Sequence, residues 1–136
     1  MPALREKWMP LRILIADDNP LVRSGVRILV EGHRGWTVCG EAGDGNEAIE
    51  QAVSLKPDLV LLDISMPHLD GLDAAPVLHE KAPRAGIIIL TLHQSIDLAR
   101  VAASVGAWGY ITKSLISTDL LPTIEAYESA MPASAD

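Results

Sequence analysis

Five short apolar runs, each followed by a stretch with helical spacing, decide what this chain can fold into. The runs cover residues 12–16, 36–40, 59–63, 87–91 and 109–112. Several are nearly continuous in Val, Ile and Leu, the pattern of strands buried on both faces. Residues 21–30 then place Leu21, Val22, Val26, Leu29 and Val30 mostly on one side of a helix, and residues 46–53 do the same with Ala48, Ile49, Ala52 and Val53. Residues 98–105 group Leu98, Val101, Ala102 and Val105, and a last helical stretch runs from about Thr118 to Met131. The connections DDNP, GDGN, KPD and MPHLDG are short and carry turn-forming residues. Five such βα units imply an α/β domain with a mainly parallel sheet and helices on both faces.

The polar residues fall at one place on this frame. Asp17 and Asp18 follow the first strand, Asp63 ends the third, Thr91 ends the fourth and Lys113 follows the fifth. Parallel strands point the same way, so these residues gather at the carboxyl edge, where open α/β sheets bind ligands at the reversal of strand order. With the order 2-1-3-4-5, strands one and three are neighbours at that point, and Asp17, Asp18 and Asp63 face one another. Clustered carboxylates repel unless a cation binds or one takes a proton. Hard oxygen ligands with room for water suit Mg²⁺. One carboxylate can then act as nucleophile and become an acyl phosphate. A lysine ammonium can pair with phosphoryl oxygens and a threonine hydroxyl can hydrogen-bond one of them.

Composition excludes several other roles. The formal net charge of −7 argues against the basic surface of a nucleic-acid binder, so no direct nucleic-acid contact is expected. No apolar stretch nears the ~20 residues of a membrane span, and MPALREKWMP lacks the apolar run of a signal peptide. The single cysteine, Cys39, cannot form an internal disulfide; it reads as a small core residue, and a reducing cytoplasm fits best. Residues 1–10 read as a lead-in, 11–130 as the domain and 131–136 as a tail or the start of a linker.

DDNP after strand one, LLDISMPHLDG around strand three, ILT closing strand four and GAWGYITK around strand five resemble the response-regulator receiver family. The resemblance spans nearly the whole chain, and LTLH and GYITKS look closest to the subfamily with a LuxR-type helix-turn-helix output domain. It implies a flavodoxin-like doubly wound sheet of five parallel strands with five helices. It implies Asp63 as the phosphoacceptor, Asp18 as a direct Mg²⁺ ligand, Asp17 as its partner acting through water, and the Ser65 backbone carbonyl as a further ligand. Thr91 matches the switch hydroxyl, Lys113 the phosphoryl-pairing lysine, and Tyr110 the aromatic whose rotamer reports the state of the site. The phosphoryl source would be a histidine kinase or phosphotransfer protein. The faces expected to meet a second copy or a partner are helix four, strand five and helix five, with Trp108 nearby, or helix one with helix five.

The sequence also departs from that family. Ser114 follows Lys113 where many receivers have proline, so no cis peptide is expected there. Leu92 follows the switch threonine where many members have a smaller residue, which would narrow access to the acyl phosphate. No output domain follows residue 136, which reads as a receiver excised from a longer protein rather than a stand-alone one. An alternative function is a Mg²⁺-dependent aspartyl-phosphate phosphohydrolase. Such enzymes carry the nucleophile in a DxD motif after the first strand and a cap domain, and neither is present here. Local expectations are that Asn19 and Asp44 cap helices, that Met66 and Pro67 shape the loop beneath the site, and that His93 and Ser65 flank it. His33, His68 and His79 share no metal spacing and are expected at the surface. Pro76 and Pro122 are expected in the first turns of their helices, which would then start near Asp73 and Asp119, or else kink.

Overall fold

The computed structural model describes residues 9–92 and 96–131, so Trp8 and His93 lie outside the described residues. The elements run β1 Leu11–Ala16, α1 Pro20–Glu31, β2 Trp36–Ala42, α2 Gly45–Leu55, β3 Leu59–Asp63, α3 Gly71–Lys81, β4 Gly86–Thr91, α4 Ile96–Ser104, β5 Gly109–Thr112 and α5 Ile116–Ala130, with a 3₁₀ turn at Lys113–Leu115. The strands form one sheet in the order β2-β1-β3-β4-β5, and every pairing is parallel. This is the flavodoxin-like arrangement expected from the sequence.

Alternation along the central strands builds two apolar layers. Leu11, Ile13, Ile15, Leu59 and Leu61 face one side, with Val26 and Val30 of α1 and Leu120 and Ile124 of α5. Leu14, Ala16, Val60 and Leu62 face the other, against Ala48 and Ala52 of α2, Ala74, Ala75 and Leu78 of α3, and Ala102 of α4. The many alanines on that side let the helices approach the sheet closely. Each fully buried Leu or Ile contributes about 1.5–3 kcal/mol, so both layers are needed to hold the sheet.

Short polar side chains start the helices. Asn19 accepts a hydrogen bond from Leu21 N, and Pro20 follows at the first helical position. Asp44 accepts from Glu47 N and Asp70 from Asp73 N. The caps also settle the helix starts, which fall earlier than the first-turn expectation places them. α3 starts at Gly71 and α5 at Ile116, so Pro76 and Pro122 stand inside the helices, in the second turn. The Asp70 cap fixes the start of α3 and the 3₁₀ turn leads directly into α5. Both prolines are exposed, so the carbonyl that each leaves without a helical donor can bond water, which offsets part of a cost of ~3 kcal/mol. All peptide bonds among the described residues are trans, including Lys113–Ser114.

Tyr127 of α5 ties the amino-terminal edge of the sheet together. Its hydroxyl donates to Asp58 O at 2.7 Å and accepts from Gly86 N at 3.0 Å. Its ring lies where a Cβ on residue 86 would go, so glycine is required there. Tyr127→Phe should cost about 1 kcal/mol by removing two hydrogen bonds, while Gly86 N still donates to Asp58 O at 3.1 Å. The check is urea denaturation, with a lower midpoint and unchanged m-value.

Candidate functional site

The carboxyl edge of the sheet collects the residues singled out from the sequence. Asp17 is fully buried and Asp63 is 3 % exposed, whereas Asp18 is exposed to solvent. One oxygen from each of the three carboxylates lies within 4.8 Å of the others. Lys113, carried past the end of β5, reaches between the buried pair: Nζ is 2.7 Å from Asp17 Oδ2 and 3.2 Å from Asp63 Oδ1. A cavity of about 410 Å³ opens over them, with Asp18, Asp63, Ser65, Leu92 and Lys113 in its wall.

The backbone holds these acids in place. Asp17 Oδ1 accepts from Asn19 N at 2.9 Å, and Asp63 Oδ1 accepts from Ser65 N at 3.2 Å. Gly71 packs against the Asp63 carbonyl so closely that a Cβ would overlap it. That contact explains the glycine of MPHLDG, which the sequence reading took only as a turn residue. A second pair of residues was also missed. Arg23 donates to the Asp17 carbonyl at 2.6 Å and to Glu41 Oε1 at 3.0 Å, linking α1, β2 and the acidic pocket. Nothing in the spacing of an exposed-looking arginine on α1 signals that reach.

The electrostatics follow from burial. Desolvation first, then the negative charge of Asp17, pushes the Asp63 carboxyl up to about 6; the Ser65 N–H and the Lys113 ammonium pull it down, but less. Burial works against the Lys113 ammonium, yet its contacts with Asp17 and Asp63 prevail and hold its pKa above the usual value. Asp17 Oδ2 has no aligned hydrogen-bond donor despite full burial. Its distance to Lys113 Nζ marks an ion pair, and the charge contact is the better description of what stabilises it. Three carboxylates against one ammonium leave two negative charges in excess. A divalent cation bound by oxygen fits that excess. These residues therefore suit Mg²⁺.

The remaining expectations are distributed around the pocket. Thr91 is buried at the end of β4, in register with Thr112 of β5, and Tyr110 is half-buried on the same strand. Leu92 is 69 % exposed and forms part of the cavity wall. Met66 is buried in the apolar layer beneath α2, α3 and α4, and Pro67 O accepts from Leu69 N in the same loop. Trp108 is exposed and meets Tyr127 edge-on. Cys39 is half-buried on β2. His33 is not a plain surface residue: its ring stacks on Trp36 at 3.5 Å and pairs with Glu125.

Comparison with known proteins agrees with this geometry. Residues 13–125 match the family described as response regulator receiver domain. The transcriptional regulatory protein PdtaR of Mycobacterium tuberculosis is 42 % identical over 117 residues, covering 86 % of this chain and 56 % of its own length. The nitrate/nitrite response regulator protein NarL of Escherichia coli is 38 % identical over 115 residues, covering 85 % and 53 %. The chain thus spans about half the length of these curated relatives. Among solved structures, a two-component response regulator of the LuxR family from Aurantimonas superposes with a TM-score of 0.84 at 36 % identity, over 91 % of this chain and 89 % of that one. The isolated REC domain of RcsB from Salmonella enterica, in the presence of phosphomimetic BeF3−, gives 0.82 at 25 % identity, over 93 % and 94 %.

Proposed function

Because the chain belongs to the response regulator receiver family, we propose that it accepts one phosphoryl group on Asp63 from a histidine kinase or phosphotransfer protein. The observation that carries this is the buried Asp63 carboxylate, held by Lys113 and Ser65 N–H beneath an open cavity. In the transfer, an Asp63 oxygen attacks the phosphorus of a phosphohistidine, the P–N bond breaks and the imidazole leaves with its electron pair. Lys113 meets the added phosphoryl charge as an ammonium. Mg²⁺ would be held by Asp18, Asp63 and the Ser65 carbonyl, with Asp17 acting through water, and would supply charge neutralisation. The exposed position of Asp18 on the cavity, against the burial of Asp17 on Lys113, supports that division of labour.

The switch would follow from the same placement. Phosphorylation adds about two negative charges next to Lys113. Thr91 turns toward them, and half-buried Tyr110 moves inward beside β5. The surface of α4, β5 and α5, with exposed Trp108 and Leu115, is the candidate contact for a second copy or an output domain; α1 with α5 is its rival. Within a longer protein this domain would govern transcription, as the name of the relative PdtaR, a transcriptional regulatory protein, suggests, and its single cysteine is in keeping with a reducing cytoplasm. No helix among the described residues is long and apolar enough to cross a membrane.

Acetyl phosphate with Mg²⁺ should add a single phosphoryl group, mapped to Asp63 by peptide mass. Sustained release of phosphate from a stable phosphoprotein, without stoichiometric loading, would instead indicate a phosphohydrolase. Asp18→Asn should weaken Mg²⁺ binding at least ~10-fold, read by titration with thermal unfolding. At 100 times its dissociation constant the ion should add about 2.7 kcal/mol to the wild type.

A further inference from the structure

The sheet has a second cavity at its amino-terminal edge, remote from the acidic pocket, with a volume of about 340 Å³. Val53, Pro57 and Pro83 give it apolar walls, and Lys56, Lys81 and Arg84 stand around it. All three cations are exposed. Among the described residues none of them makes an ion pair, whereas Arg23, Arg27 and Lys113 all do. In a chain of net charge −7 such a concentration of unpaired positive charge calls for an explanation.

Helix ends account for only part of it. α2 and α3 both end at this edge, and each C-terminus carries about half a negative charge. Arg12 already donates to the Leu55 and Lys56 carbonyls at 2.5 and 3.0 Å, so the end of α2 is satisfied without Lys56. Asp58, whose Oδ2 accepts from the Arg12 backbone N–H at 2.8 Å, brings one negative charge to the same edge to set against the Arg12 guanidinium. Three full charges against about one from the two helices leave roughly two in excess. Lys56 is held at the end of α2: it sits in the left-handed region at φ 51°, with its N–H on Ala52 O, while Lys81 ends α3 and Arg84 follows it before β4. The volume is that of a small-molecule pocket, for which about 300–1,000 Å³ is usual.

We propose that this cavity binds a small organic dianion, a phosphate monoester on a flat apolar body such as a nucleoside monophosphate. The phosphate lies among Lys56, Lys81 and Arg84, and the apolar body lies against Val53 and the two prolines. The site is separate from the Asp63 pocket and does not depend on the function assigned to it. The test is titration of the ¹⁵N-labelled wild-type chain with adenosine monophosphate, inorganic phosphate and adenosine, followed by amide shifts. A Lys81→Gln/Arg84→Gln double variant is titrated alongside; both side chains are exposed, so folding is retained. The expected result is saturable binding of the monophosphate with shifts at residues 52–57 and 81–85, weakened at least ~10-fold in the double variant. Phosphate and adenosine alone should bind more weakly. Three results would overturn it: no saturation by millimolar monophosphate, equal binding by the double variant, or shifts confined to the surroundings of Lys113.

Discussion

Asp63→Asn should abolish phosphoryl uptake from acetyl phosphate and, in metal-free buffer at neutral pH, make the protein more stable. The first effect follows from removing the nucleophile: an amide cannot form the acyl phosphate. The second follows from the raised pKa. Burial and Asp17 hold the Asp63 carboxyl at about 6, well above its ordinary value of 3.8. The folded protein therefore binds this proton more tightly than the unfolded chain. That contribution to stability is fully present below pH ~4 and is lost as pH rises through about 6. Ionising Asp63 in place costs roughly 2–3 kcal/mol by pH 7, at 1.36 kcal/mol per unit of pKa. The asparagine variant escapes this cost, so its stability should not fall between pH 4 and 7 on that account. Urea unfolding in EDTA across this range is the measurement. A variant that still gains a phosphoryl group at the wild-type rate would refute the assignment. Parallel pH profiles would show that Asp63 is not held in a desolvated site. A nucleophile that destabilises its own fold is in keeping with a role in chemistry rather than in packing.

The fold was legible because the information sits in short, redundant patterns. Val60, Leu61 and Leu62 are apolar on successive residues because β3 is buried on both faces, and only a central parallel strand asks for that. The acidic pair, Asp63, Thr91 and Lys113 could be brought together from sequence because they end or follow parallel strands. Topology alone then delivers them to one edge. Other features depend on contacts that no local pattern encodes. The approach of Gly71 to the Asp63 carbonyl is set by how the β3–α3 loop folds back, and the Arg23 link to the Asp17 carbonyl by a side chain crossing from α1. The contact of His33 with Glu125 is likewise tertiary, since it joins the α1–β2 turn to α5. The helix starts expected from Pro76 and Pro122 differ from those found for the opposite reason. The local rule is sound, but the Asp70 cap and the 3₁₀ turn at Lys113–Leu115 set the helix starts, and solvent on the proline face makes the break tolerable.

Lys113→Met should be among the most destabilising single substitutions at this edge, at about 3–5 kcal/mol near neutral pH without metal. Asp17 is 0 % exposed, and its Oδ2 has no aligned donor, so the Lys113 ammonium at 2.7 Å is what offsets its charge. Removing one partner of a buried pair leaves an uncompensated ion, and the penalty is far larger than for a surface pair worth under ~1 kcal/mol. Methionine keeps most of the apolar stem, so little of the loss comes from packing. Denaturant midpoints can separate the two contacts of Lys113 through a cycle with Asp63→Asn. In the Asp63→Asn background the ammonium faces one buried carboxylate instead of two, and two like charges no longer share the pocket. Lys113→Met should therefore cost at least ~1 kcal/mol less there than in the wild type. Mg²⁺ should restore part of the loss in Lys113→Met, because a cation among the three carboxylates replaces the missing charge. A cost below ~1 kcal/mol in the single variant would mean that the pair behaves as a solvated surface contact. Strict additivity in the cycle would mean that Asp63 and Lys113 do not act as a unit, and the phosphoryl-pairing role of this lysine would then lose its physical support.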